Sequence, residues 1–138
     1  MIGGYLKYLT DNQVDGVYVA GTTGEGLSLT CQERIALARE WMSQIEKQNS
    51  RMLMIMNVTS TCLNEALECA RECEKIGVDG IAVLPPLYYK ATQVNQLVNY
   101  VKLISNSAPK TPILYYHIPS FTGELPCKLK LSSLNSNC

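Results

Sequence analysis

The chain has 138 residues, the length of one ordinary domain, and a hydrophobic fraction of 46% is enough to build a real core. Twelve basic residues balance twelve acidic ones with no run of either sign, which excludes the electrostatic footprint of a nucleic-acid or acidic-membrane binder and favours a small neutral or anionic ligand. No apolar stretch approaches membrane-spanning length and no basic-then-apolar leader opens the chain, so a cytoplasmic protein with reduced thiols is expected despite six cysteines.

Residues 1–10 read as helix with no strand before them. Gly16-Val17-Tyr18-Val19-Ala20 is a short apolar run of the kind that forms a strand buried on both faces. Thr30 with Glu33 three residues later predicts a capping box, followed by a buried stripe of Ile35, Leu37, Ala38, Trp41, Met42 and Ile45. Residues 52–58 form the next apolar strand. Thr61 is placed to cap a helix that turns Leu63, Ala66, Leu67, Ala70 and Ile76 inward and ends at Gly77. Cys69 and Cys73 lie in this helical pattern and, in a chain with one histidine, read as small helix-face residues rather than a metal site. Gly80-Ile81-Ala82-Val83-Leu84 is a third strand, stopped by Pro85-Pro86. After Thr92 a helix carries Val94, Leu97, Val98, Val101 and Ile104 inward, and Pro112-Ile113-Leu114-Tyr115-Tyr116 is a fourth strand with proline where no ladder N–H is lost.

Val17, Met54, Ile81 and Ile113 mark strands at the spacing of about 30 residues that a strand, a crossover helix and two short loops require. This alternation predicts an α/β fold with a parallel sheet and right-handed crossovers. Periodicity leaves open whether the sheet is an open one or part of a barrel. Polar, glycine-bearing or aromatic clusters follow each strand, on the face where such folds collect their sites.

The first cluster, Gly21-Thr22-Thr23-Gly24-Glu25-Gly26, is able to aim backbone N–H groups and two hydroxyls at one carboxylate or phosphate. Equally, it is a tight strand-to-helix turn that uses glycine for positive φ. It is neither a dinucleotide fingerprint nor a Walker loop, since the glycine order differs and no lysine follows. Tyr115 and Tyr116, taken alone, read as ordinary strand aromatics. Asn57-Val58-Thr59 satisfies the glycosylation pattern, but at a buried strand end it is read as incidental.

The segment from Val19 through Gly21-Thr22-Thr23-Gly24-Glu25-Gly26 to Leu29 resembles the carboxylate loop of the N-acetylneuraminate lyase and dihydrodipicolinate synthase family, and Tyr115-Tyr116-His117-Ile118-Pro119 resembles its second signature. The resemblance implies a partial (β/α)8 TIM barrel, roughly strands two to five with their helices over residues 1–123, followed by a divergent irregular tail over 124–138. It implies that Thr22 and Thr23 bind the carboxylate of pyruvate and that Tyr116 shuttles a proton, with His117 orienting the loop. A phenol with an ordinary pKa near ~10 needs a neighbouring charge for that task. Tyr88, two residues past Pro86, matches the aromatic that crosses to a neighbouring subunit, although it also reads as a loop ring covering the rim. A homo-oligomer, tetrameric in the family, is implied, with no cofactor and no metal.

Tyr-His-Ile-Pro and Gly-Leu-Ser-Leu resemble the animal-type sialic acid lyases more than the synthases. The activity implied is class I aldolase cleavage of N-acetylneuraminate to N-acetylmannosamine and pyruvate through a Schiff base. The family's lysine follows on a later strand; Lys7, Lys47, Lys75, Lys90, Lys102, Lys110, Lys128 and Lys130 include none in an apolar strand, where burial makes an ammonium nucleophilic. The chain alone is therefore expected to be inactive, and poorly stable or self-associating because its sheet edges lack partners. The alternatives are a non-catalytic isoform that pairs with full-length subunits through the Tyr88 region, a dihydrodipicolinate synthase-like pyruvate aldolase, and an open-sheet phosphate binder.

Overall fold

A computed structural model describes residues 1–123. Cys127, Cys138, Lys128, Lys130 and the expected irregular tail lie outside the described residues. The elements are α1 (Ile2–Asp11), β1 (Gly16–Val19), α2 (Cys31–Lys47), β2 (Leu53–Asn57), α3 (Leu63–Ile76), β3 (Gly80–Val83), α4 (Val94–Ser107), β4 (Ile113–Tyr115) and α5 (Pro119–Thr122), with a 3-10 turn at Gly26–Ser28 before α2. No helix among the described residues is long and apolar enough to cross a membrane.

All strand pairs are parallel, and the sheet order β1-β2-β3-β4 follows the chain. In a doubly wound open sheet the order reverses and helices cover both faces. Here it never reverses, and α1 packs on α2, α2 on α3 and α3 on α4 along one face. The sheet is also strongly curled. Tyr18 on β1 and Tyr116 just past β4 stack with ring centroids 5.8 Å apart, although three strand spacings on a flat sheet would separate them by about 14 Å. Single winding and curl together make this a barrel segment.

Register divides the strand residues into two sets. Val17, Val19, Met54, Met56, Ile81 and Val83 face the helices, and all but the half-buried Val17 are buried. Each such side chain contributes about 1.5–3 kcal/mol by leaving water. The opposite set, facing the concave side, includes Tyr18, Leu53, Ile55, Asn57, Ala82 and Leu114, of which Tyr18, Leu53 and Leu114 are exposed at the margins. The expectation that β1 is buried on both faces is therefore corrected. Gly16 and Tyr18 are exposed because β1 is an edge strand of this sheet and its concave side is covered only in part, by the Tyr116 ring against Tyr18.

The helices follow their sequence signals with three differences. Thr30 and Glu33 form the reciprocal capping box of α2, and Gly77 takes the left-handed conformation, φ 87°, that closes α3. Thr61 does not cap α3. Its N-cap is Cys62, and Ser60 serves the end instead: its hydroxyl accepts from Cys62 N–H at 3.1 Å and donates to Glu65 at 2.8 Å. On α4, Val94 is exposed while Leu97 and Ile104 are buried. The third difference is Arg34, a charged residue buried within the α2 stripe. Small buried residues on α3 (Ala66, Cys69, Ala70, Cys73) let α2 approach closely, and Arg39–Glu72 and Gln32–Glu68 contacts lie along the seam.

Candidate functional site

The site is built at the carboxyl ends of the strands. After Val19 the backbone turns sharply through Ala20 at φ 57°, a left-handed conformation that an alanine adopts only when its surroundings enforce it. Glu25 repeats it at φ 49°. Between them Glu25 N–H bonds to Thr22 C=O at 3.0 Å and Gly26 N–H to Gly21 C=O at 3.1 Å. Among the described residues the N–H groups of Thr22, Thr23 and Gly24 and both threonine hydroxyls take no hydrogen bond, and both threonines are exposed. They are the groups an anion would use.

The glycines here do not supply positive φ, contrary to the turn reading; they supply space. A Cβ on Gly26 would stand 1.9 Å from Ala20 O, and one on Gly21 2.5 Å from Cε1 of Tyr18. One glycine admits a carbonyl and the other a ring.

Ala20 is enforced from β2. Asn57, only 2% exposed, donates from Nδ2 to Ala20 O at 2.8 Å and accepts Thr59 N–H on Oδ1 at 3.1 Å. Thr59 is fully buried; its hydroxyl accepts Leu84 N–H at 2.8 Å and its carbonyl accepts from Nη1 of Arg34 at 2.6 Å. These bonds tie the ends of β1, β2 and β3 to α2. The amide nitrogen that a glycan would need is thus buried and already donating. The sequence placed Asn57-Val58-Thr59-Ser60 among the polar clusters that follow the strands and matched Asn57 to the glycosylation pattern, without assigning Asn57, Thr59 or Arg34 a role in the site.

Tyr116 lies on the concave side, 46% exposed, with its N–H bonded to Val83 C=O at 2.9 Å. Its ring stacks on Tyr18 with an interplanar angle of 29°. Burial, with the Tyr116 phenol beside it, pushes Tyr18 up to about 12. Tyr115 and His117 point the other way, with the Tyr115 hydroxyl 3.3 Å from His117 Nδ1. The structure therefore brings Thr22, Thr23 and Tyr116 to one end of the sheet with Tyr18 between them. Tyr88 is elsewhere, 78% exposed and edge-on to Tyr89, on a groove of about 470 Å³ shared with Leu63, Pro86 and Tyr100. A larger groove of about 680 Å³ runs along the open edge of β1 from Thr23 and Gly24 to Tyr5 and Trp41. Lys7, Lys47, Lys75, Lys90, Lys102 and Lys110 are exposed and none lies in a strand. Nζ of Lys90 rests against Gly123, at the end of α5.

With this arrangement in view, the profile of the dihydrodipicolinate synthetase family matches residues 4–135. The chain belongs to that family. Family members of known structure include the N-acetylneuraminate lyase of Proteus mirabilis, 31% identical with a TM-score of 0.80 over 86% of this chain and 39% of that one. The lysine-bound dihydrodipicolinate synthase of Cyanidioschyzon merolae is 32% identical with a TM-score of 0.81 over 89% of this chain and 40% of that one. Among curated sequences, N-acetylneuraminate lyase of Sus scrofa is 41% identical over 124 residues, which is 89% of this chain and 38% of that protein. The chain thus spans about two fifths of the length of the relatives it matches. Its four strands and their helices are a portion of the family's TIM barrel, as the resemblance implied, and the open-sheet alternative is overturned by the single winding.

Proposed function

We propose that this chain carries the carboxylate-binding and proton-shuttling part of a pyruvate site in an aldolase that cleaves N-acetylneuraminate to N-acetylmannosamine and pyruvate. The observation that supports this most is the loop of Thr22 and Thr23, whose two hydroxyls and adjacent N–H groups are unengaged on the same strand-end face as Tyr116. In this reading the hydroxyls and N–H groups neutralise the keto-acid carboxylate, and the bound carboxylate in turn helps the Tyr116 phenol move the proton of the hydroxyl next to the scissile bond. The lyase assignment over the synthase rests on Tyr-His-Ile-Pro at 116–119 and on relatives that carry the lyase name. Tyr88 is the subunit-crossing aromatic of a cytoplasmic homotetramer. The Schiff base falls to a lysine other than the eight of this sequence, so the 138-residue chain alone binds the keto acid without covalent chemistry.

The test is titration of the isotopically labelled chain with pyruvate and, separately, with acetone, which has the ketone but no carboxylate. Saturable amide shifts at Thr22 and Thr23 with pyruvate alone are expected, and borohydride is expected to trap no adduct. Equal responses to the two ketones, or no response to either, would overturn the carboxylate-loop reading. A borohydride-stable adduct would overturn the assignment of the covalent step to another lysine.

A further inference from the structure

We infer that Tyr18 is a positioning residue for Tyr116: its ring is the spacer that fixes the tyrosine after β4 relative to the threonine loop after β1. The inference rests on the pyruvate-site reading for its function but on separate contacts for its geometry. Tyr18 alternates onto the concave face of β1, opposite the buried Val19. One end of its ring occupies the space over Gly21 that a Cβ would fill, at 2.5 Å from Cε1 and 2.6 Å from Cδ1. The ring then lies against Tyr116 at 5.8 Å between centroids. The two halves of the site come from opposite edges of a four-stranded sheet, and no hydrogen bond among those described joins the Thr22–Thr23 loop to Tyr116. The path from one to the other runs Gly21, Tyr18, Tyr116.

A side chain held on one face by a flat neighbour keeps its ring plane, and an offset stack of this kind is favourable beyond the area it covers. With Tyr18 against one face, the ring plane of Tyr116 is fixed, and with it the line along which the phenol oxygen projects. Reacting groups must be held to a fraction of an ångström for efficient transfer, which is the contribution of a residue that itself touches no substrate. The raised affinity of Tyr18 for its proton accords with this: partial burial of the ring raises it first, and the Tyr116 phenol beside it adds to the shift.

The experiment uses the full chain with 13C-labelled tyrosine rings, in the parent and in Tyr18→Phe, Tyr18→Leu and Gly21→Ala. Phenylalanine keeps the stack, leucine removes it, and the added methyl of Gly21→Ala drives the ring off its seat while leaving the phenol intact. Tyr116 ring resonances displaced by a neighbouring ring are expected in the parent and in Tyr18→Phe, and are expected to collapse to those of a free tyrosine in Tyr18→Leu. Pyruvate-induced shifts at Tyr116 are expected to fall at least fivefold in Tyr18→Leu and to be restored in Tyr18→Phe, with Thr22 and Thr23 amides still responding. Gly21→Ala is expected to change the Tyr116 displacement without any change at residue 18, and it decides the matter should Tyr18→Leu not fold. Unaltered Tyr116 resonances in both Tyr18→Leu and Gly21→Ala would overturn the inference. A parent chain whose Thr22 and Thr23 ignore pyruvate would overturn the pyruvate reading instead, leaving the ring displacements to judge Tyr18 alone.

Discussion

Replacing Asn57 with alanine removes two hydrogen bonds at once, those to Ala20 O and from Thr59 N–H. Both orphaned groups sit on residues that are buried, Ala20 at 4% and Thr59 at 0% exposure, so water does not replace the lost partner without a structural change. An unsatisfied buried polar group costs about 1–3 kcal/mol, and two of them put the expected loss at roughly 2–6 kcal/mol. The left-handed turn at Ala20 depends on the same bond, so the Thr22–Thr23 loop should lose its shape as stability falls. Asn57→Asp separates the two bonds. The carboxylate still accepts Thr59 N–H but faces the Ala20 carbonyl without a proton to offer. Burial raises the pKa of such a carboxyl in the folded state, so its protonated form is favoured by folding. The variant should therefore approach the parent at acid pH and weaken as pH rises through the folded-state value, the reverse of an ion-paired aspartate. Urea denaturation of the parent and both variants at pH 4 and pH 7, with loop amides followed in parallel, measures each quantity. A loss below about 0.5 kcal/mol for Asn57→Ala would show that Ala20 is held by something other than this side chain, and the account of the loop would fail.

Two more outcomes follow from single contacts. Gly26→Ala sets a methyl 1.9 Å from Ala20 O, and since backbone rather than a flexible side chain must give way, a loss at or above the roughly 1–3 kcal/mol of overpacking is expected, read as a lowered melting temperature; an unchanged melt would contradict it. Tyr100 has a buried hydroxyl without a partner among the described residues, and burial pushes its pKa up to about 12 from 10.0. Its contribution to stability is intact below pH 10.0 and is lost as pH rises toward about 12, by on the order of 2 kcal/mol, whereas Tyr100→Phe should hold its stability across that window and be equal to or above the parent at neutral pH. Alkaline urea titrations of the two chains that run parallel would refute this.

The repeating elements were legible because each is specified locally. Thr30 with Glu33, Gly77, and the apolar runs at β2 and β3 carry their own signals within a few residues, and Thr22, Thr23 and Tyr116 stand at strand ends as the alternation required. Curvature was not legible, since it arises only when strands pair. For that reason periodicity left the barrel segment undecided, only the family resemblance implied it, and neither gave a hint that Tyr18 meets Tyr116 from the far edge. Ser60 supplanted Thr61 because the cap depends on where the loop leaves β2, which one residue of register changes. Arg34 escaped notice because a charged residue is ordinarily solvated; only the buried carbonyl of Thr59, distant in sequence, gives its guanidinium a reason to be inside.

The division of each strand into a helix-facing and a concave-facing set means that neighbouring residues answer to different demands. Along β2, Met54 and Met56 are constrained only by the volume they fill, and another apolar residue of similar size should serve. Ile55 and Asn57, one step away, face the concave side. A scan along this strand should alternate in kind, with Met54 and Met56 answering to volume and Asn57 to the hydrogen bonds that hold the Ala20 turn.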